Sequence, residues 1–277
     1  MKLGLIQTKQ NQLYEFTNKG LNLSKEEVIK YRSEMEEQAI GLIRNACLLD
    51  CDMIVTSEAV NFCGQQDNIR CDYTEVVPEL DDIFFKKVSS LAAEFEKYIV
   101  LGAYNRRGEN LYNSAIVYNR RGEQAYHYDK IHLAGSENDR LTPGDEYVVM
   151  DTEYGRIGLA ICWDMQFPEC CRELVLDGAD LILCPTWGWE QIYGHARAYE
   201  NGIYVASAMS VPFQEDIVGM RNPSEVISPE GKVLASGSID RAEVVTCMLD
   251  ITDCRGYREM RMSDRRPQTY RRISGRK

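Results

Sequence analysis

The sequence contains no apolar run close to the roughly 18 residues that a bilayer-spanning helix needs, so no stretch reads as a membrane segment. The N-terminus, Met-Lys-Leu-Gly-Leu-Ile-Gln, has a short apolar stretch and no cleavage site, and it does not read as a signal peptide. Internal repeats, low-complexity segments and linker-like stretches are also missing, and one domain over 1–277 is the economical expectation. Ten cysteines are present, but none forms a C-x-x-C pair, and there are only three histidines. A structural zinc site and a secreted disulfide scaffold both lose support, and the thiols are expected in a reducing, cytoplasmic setting. Basic charge is scarce too: 32 Lys and Arg stand against 43 Asp and Glu, a net charge of −11. An acidic body argues against a nucleic-acid partner.

Hydrophobic residues make up 44% of the chain and charged residues 27%, the balance of a soluble globular protein able to bury a sizeable core. The charge is uneven. Residues 253–277 carry nine basic and three acidic side chains, and the remainder carries 23 basic and 40 acidic. That arginine-rich extension is expected to dock on an acidic body, its own or a neighbour's.

Along the chain, 3–6 reads as a buried strand. Ser24 and Glu27 form a capping box with Leu23 and Val28 as its staple, and Val28, Tyr31, Met35, Ala39, Leu42 and Ala46 then recur at helical spacing. Met53-Ile-Val55 is a second buried strand, ending in Thr-Ser-Glu58. A helix follows Pro78, with Leu80, Phe84, Val88, Leu91 and Phe95 on one face. Strands near 98–104, 113–118 and 124–128 are joined by turns, one of them Asn119-Arg-Arg-Gly122. Residues 134–147 form a polar loop. Residues 157–161 are a small, apolar strand that runs into Cys162, and Pro168 opens the helix beyond it. Further strands fall at 181–184, 203–208, 225–228, 232–235 and 243–249, with a helix near 190–200 capped by Gly202. Strands alternate with helices while some pair as hairpins. This predicts an α/β fold of four layers, an α-β-β-α sandwich of two face-to-face sheets with helices outside.

Three strand ends carry polar groups where apolar ones are the norm: Glu58, Lys130 and Cys162. In α/β sheets ligands gather at the carboxyl ends of strands, so the three can meet. A carboxylate can take a thiol's proton, a thiolate is a nucleophile, and an ammonium can stabilise charge developing on the attacked group. Taken singly, Cys162 reads equally as a buried hydrophobe, and Glu58 and Lys130 as loop charges.

Five blocks, in order, resemble the nitrilase superfamily of carbon–nitrogen hydrolases: Thr-Ser-Glu58, Tyr-Asp-Lys130-Ile-His-Leu, Cys162-Trp-Asp-Met-Gln-Phe-Pro-Glu, Ala-Arg197-Ala-Tyr-Glu-Asn-Gly and Ser-Pro-Glu-Gly231-Lys-Val-Leu. The resemblance implies the same αββα sandwich, usually as a dimer, with 253–277 as an extension at the subunit interface. It implies Glu58 as general base, Cys162 as nucleophile, and Lys130 as stabiliser of the tetrahedral intermediate with the backbone N–H of Trp163. Glu137, six residues before Pro143, matches the family's second glutamate; its other reading is an exposed loop acid. Asp164 and Trp187 fall on the substrate side. Trp187 and Trp189 either wall the pocket or simply pack. The implied reaction is covalent hydrolysis of a small amide or N-carbamoyl compound, with no metal and no organic cofactor. Cys-Trp-Asp resembles the amidases and N-carbamoyl hydrolases, whereas nitrile-cleaving members more often carry Cys-Trp-Glu. His127 and His132 are expected to support the Lys130 loop. Acyl transfer by the same triad, a non-catalytic scaffold of the same fold and a redox-sensing thiol protein are the competing readings.

Overall fold

Alternation along the strands decides what each side chain meets. In a computed structural model that describes residues 1–13, 22–62, 69–188, 190–212 and 222–273, Leu3 and Leu5 of β1 (Lys2–Lys9) point into one core while Ile6 points into another. Met53 and Val55 of β2 (Met53–Thr56) join the first core, and Ile54 joins the second. Val100 of β3 (Tyr98–Arg107) and Val117 of β4 (Asn110–Tyr118) follow the same rule, opposite to Ile99, Leu101 and Ile116. With β5 (Gln124–Asp129) these strands form the first sheet, in the order β10-β1-β2-β3-β4-β5, where β10 is Ser210–Val211.

The second sheet has the order β12-β11-β9-β8-β7-β6. Its members are β6 (Val149–Thr152), β7 (Gly155–Leu159), β8 (Leu181–Pro185), β9 (Tyr204–Ala208), β11 (Glu225–Ile227) and β12 (Val233–Ser236). Leu181 and Leu183 face the first sheet, while Ile182 and Cys184 face outward. Each buried Leu or Ile contributes about 1.5–3 kcal/mol, so a core with two sides dominates the energetics. The strand at 149–152 has no counterpart in the sequence reading. It is a four-residue edge strand in which only Met150 is buried, too little for a period to show.

The helices complete the four layers. Helix α1 (Lys25–Leu48) starts at the expected capping box, with Ser24 Oγ accepting from the Glu27 N–H and Glu27 Oε2 from the Ser24 N–H. It packs Ala39, Ile43 and Ala46 on the first sheet; Ile43, not Leu42, takes the buried position. Helix α2 (Ile83–Phe95) lies beside it and begins at Ile83 rather than directly after Pro78, because Asp82 caps it through the Phe84 N–H at 2.9 Å. On the far side, α3 (Pro168–Leu176) and α4 (Gln191–Asn201) cover the second sheet with Cys170, Cys171, Leu174, Val175 and Ala198.

The chain's end crosses back. Strand β13 (Glu243–Met248) pairs antiparallel with β1 in the first sheet, and α5 (Arg255–Ser263) then packs beside α4. Arg258 Nη1 donates to Gly178 O at 2.6 Å and to the buried Asp180 Oδ1 at 2.6 Å, and Arg255 Nη2 reaches Asp180 Oδ2 at 3.1 Å. The basic extension therefore docks on the body of its own chain. Among the described residues no helix is long and apolar enough to cross a membrane, and all nine described cysteines are free thiols; Cys63 and Trp189 lie outside the described residues.

Candidate active site

Strands β1, β2 and β3 run parallel, and β5 returns to that direction by way of the antiparallel β4. β7 and β8 are parallel in the other sheet. Glu58 follows β2, Lys130 follows β5, Cys162 lies just past β7, and Thr186 and Trp187 leave β8. The two sheets press together here. A Cβ on Gly102 of β3 would stand 2.5 Å from Ser57 O, 2.8 Å from Pro185 Cβ and 3.1 Å from Glu58 Cα, so only glycine fits.

Lys130 is the hub. Its side chain is 1% exposed, and Nζ donates to Glu58 Oε1 at 2.8 Å and to Glu137 Oε2 at 2.7 Å. Burial works against its charge, but Glu58, Cys162 and Glu137 outweigh burial and hold its pKa well above the ordinary lysine value. Glu137 is thus no exposed loop acid. Its short 3-10 turn, 135–139, brings it back over the lysine, and Ala134 N–H donates to Oε2 at 2.8 Å. Glu58 is held on both oxygens: Asn113 Nδ2 donates to Oε1 at 2.7 Å and the Trp187 backbone N–H to Oε2 at 2.9 Å.

Cys162 is buried and has φ of +44°, the left-handed region that a non-glycine residue enters only when its surroundings impose it. The expected helix begins at Pro168. A 3-10 turn over Cys162–Gln166 precedes it. Sγ donates to Gly188 O at 3.3 Å. Burial, then the Glu58 charge, push the thiol up to about 12, against smaller opposite effects of Lys130 and the Thr186 hydroxyl. At neutral pH the resting nucleophile is a protonated thiol that needs a base at the moment of attack. Trp163 N–H opens the same turn, where the first amides have no acceptor within the helix, and its side chain is 40% exposed. The side chain of Trp187 is half-buried.

Asp164 departs from expectation. It is fully buried and both its oxygens are taken by protein groups: Oδ2 accepts from Tyr128 Oη at 2.7 Å and Ile161 N–H at 2.9 Å, and Oδ1 accepts from His132 N–H at 2.9 Å and meets His132 Nδ1 at 2.8 Å. It is a strut between the cysteine turn and the lysine loop. His132 does support that loop, stacked on Phe167 at 4.1 Å; His127 Nε2 instead meets Asp129 Oδ1 at 2.9 Å. Arg197 of α4 clamps the turn from the other side, with Nε donating to Met165 O and Nη2 to Gln166 O, each at 3.1 Å. Among the described residues, no three His, Cys, Asp or Glu side chains converge to hold a metal ion. Sequence reasoning missed Asn113 and the Trp187 backbone N–H.

The sequence profile of the carbon–nitrogen hydrolases matches residues 2–259, nearly the whole chain. The chain belongs to the carbon–nitrogen hydrolase family. This hydrolase is 31% identical over 237 residues to a nitrilase of Pyrococcus abyssi, covering 82% of this chain and 87% of that one. It is 28% identical over 246 residues to human omega-amidase NIT2, again covering 82% and 87%. Its fold is that of a carbon–nitrogen hydrolase from Helicobacter pylori G27 (TM-score 0.80, 21% identity, 99% and 97% of the two chains). It is also that of an amidase from Nesterenkonia sp. AN1, a glutamate-to-glutamine variant with the acetamide moiety of fluoroacetamide added covalently at the active-site cysteine (TM-score 0.74, 20% identity, 98% and 96%).

Proposed function

We propose that this hydrolase cleaves a small linear amide or N-carbamoyl compound through an acyl-thioester on Cys162. The observation that carries the reading is the lysine shared between two carboxylates at 2.8 and 2.7 Å, set where the cysteine turn of the facing sheet arrives. Glu58 takes the Sγ proton as sulfur bonds to the carbonyl carbon. The negative charge that develops on the carbonyl oxygen meets the Lys130 ammonium and the Trp163 N–H. Glu58 returns the proton to the leaving nitrogen, the C–N bond breaks, and ammonia or an amine departs. Water then attacks the thioester with Glu58 again as base, releasing the acid and restoring the thiol. Glu137 holds the lysine for both halves of the cycle.

One feature supports an amide over a nitrile as substrate: the turn reads Cys-Trp-Asp. The relatives include both an omega-amidase and a nitrilase, so the substrate panel carries the distinction. The test is ammonia release from a panel of amides, N-carbamoyl amines, N-carbamoyl amino acids and nitriles, with Cys162→Ala alongside. Release that persists in the variant overturns the thioester. Product formed only when an amine is added assigns acyl transfer instead of hydrolysis. The reading includes a homodimer formed around 253–277, checked by sedimentation of the full chain.

A further inference from the structure

Strand register sets three side chains in a row on one face of the first sheet. Tyr104 of β3 stands opposite Asn113 of β4, and the Asn113 carbonyl accepts from Lys130 N–H at 2.9 Å as β5 ends. All three reach Glu137: Tyr104 Oη donates to Oε1 at 3.1 Å, Asn113 Nδ2 to Oε1 at 3.0 Å and Lys130 Nζ to Oε2 at 2.7 Å. Asn113 Nδ2 also donates to Glu58 Oε1 at 2.7 Å. Only the NH₂ end of an amide can face two carboxylate oxygens, so the chemistry fixes which way the group points. The residue is 1% exposed, and its Oδ1 is buried with no hydrogen-bond partner. Leaving a buried acceptor unpaired is costly, and the amide bears that cost while both its protons serve the acids.

We propose that Asn113 is a positioning residue for the hydrolysis: it clamps Glu58 and Glu137 to one lysine and fixes the carboxylate that serves Cys162. The inference rests on the reading of Glu58 as the base. Two carboxylates that share a single ammonium repel each other, and the shared amide places a proton in front of each. Without it Glu58 Oε1 keeps only the lysine while Oε2 stays on the Trp187 N–H, and the carboxylate that serves the thiol is fixed less tightly.

The neighbouring residue supplies the control. Ser114, on the opposite face of the same strand, donates to Asp129 Oδ1 at 2.5 Å and accepts from Asn105 at 2.7 Å, with no contact to the glutamates. Asn113→Ala is expected to lower kcat about a hundredfold with KM changed less than about threefold. Ser114→Ala is expected to cost stability while kcat stays within about twofold. Asn113→Asp keeps the shape for the case in which the alanine variant does not fold. It is expected to be nearly inactive at neutral pH and to regain rate as the new carboxyl protonates. A second readout needs no substrate: alkylation of Cys162 by iodoacetamide at neutral pH, followed by mass spectrometry, is expected to slow about tenfold in the Asn113 variants. An unchanged alkylation rate, or a loss of kcat no larger than that of Ser114→Ala, overturns the inference. Wild-type protein that alkylates readily at Cys162 but releases no ammonia from any amide overturns the proposed hydrolysis instead.

Discussion

The backbone amide of Trp187, at the exit of β8, donates to Glu58 Oε2 across 2.9 Å, so the base after β2 is held by the sheet that carries the nucleophile. Among the described residues Glu58 accepts three donors: Lys130, Asn113 and Trp187. A glutamine has one acceptor and two donors, so no rotamer satisfies all three. Glu58→Gln is therefore expected to lose activity about 10³-fold or more and to cost about 1–3 kcal/mol of stability. Steady-state ammonia release and denaturant unfolding check both. Wild-type kcat in this variant would remove Glu58 from the mechanism.

Removing the hub should do more harm than removing either partner. Lys130→Met leaves two carboxylates buried without their cation, and breaking a buried ion pair on one side costs about 3–5 kcal/mol. Adding Glu137→Gln to Lys130→Met should restore part of that stability and none of the activity. The measurement is a double-mutant cycle on unfolding free energy. Additive losses would mean that the two residues are not coupled, against their 2.7 Å contact.

Burial leaves a mark on the alkaline side. The thiols of Cys162 and Cys254 are each pushed up to about 12 and that of Cys47 to about 11, from an ordinary value of 9.0, with burial as the first cause in each case. The native state favours their neutral form. The stability this gives is whole below pH 9 and is lost as pH rises from there toward 11–12. Each thiol removes up to about 1.4 kcal/mol per pH unit over that range. Tm should fall between pH 9 and 11, less steeply in Cys254→Ala. A flat profile would mean that these thiols are not sealed from water.

What the chain revealed before folding, and what it withheld, follows from where each signal lies. Glu58, Lys130 and Cys162 are legible because each is a chemically active residue at the end of an apolar strand, and strand ends can be read locally. Strands that alternate with helices while others pair as hairpins make the four layers legible as well, and Leu181-Ile-Leu-Cys184 does divide its side chains between two cores. Asn113 is not legible as a clamp, because its role depends on the register of β3, β4 and β5, which only tertiary pairing sets. A signal was present: Asn113-Ser114 is a polar pair inside a strand that continues apolar from Ala115 to Tyr118, and a strand buried on both faces keeps such a pair only when both are bonded. Asp164 misleads for a geometric reason. Its partners Tyr128 and His132 come from β5 and the loop beyond it, which only tertiary packing brings to the cysteine turn.

The C-terminal extension closes on a residue with no other means of neutralisation among the described groups. Asp180 is fully buried, and its carboxylate meets Arg258 Nη1 at 2.6 Å, Arg255 Nη2 at 3.1 Å and the Arg156 N–H at 3.1 Å. Ending the chain before Asp253 removes both guanidiniums and strands the carboxylate. That truncation should destabilise the remaining body by about 3–5 kcal/mol, before any effect on subunit assembly. Truncation alone therefore cannot report on an interface. Asp180→Asn in the truncated chain keeps the size of the side chain and removes the stranded charge, and it should recover a large part of the loss. In the full chain the same substitution should instead cost stability and expose α5 to trypsin. Equal effects of Asp180→Asn in the two backgrounds would show that the extension is held by its apolar contacts alone. The opposite signs expected here assign the docking to charge, and sedimentation of the truncated Asp180→Asn protein then reads the contribution of residues 253–277 to assembly without a collapsing body underneath.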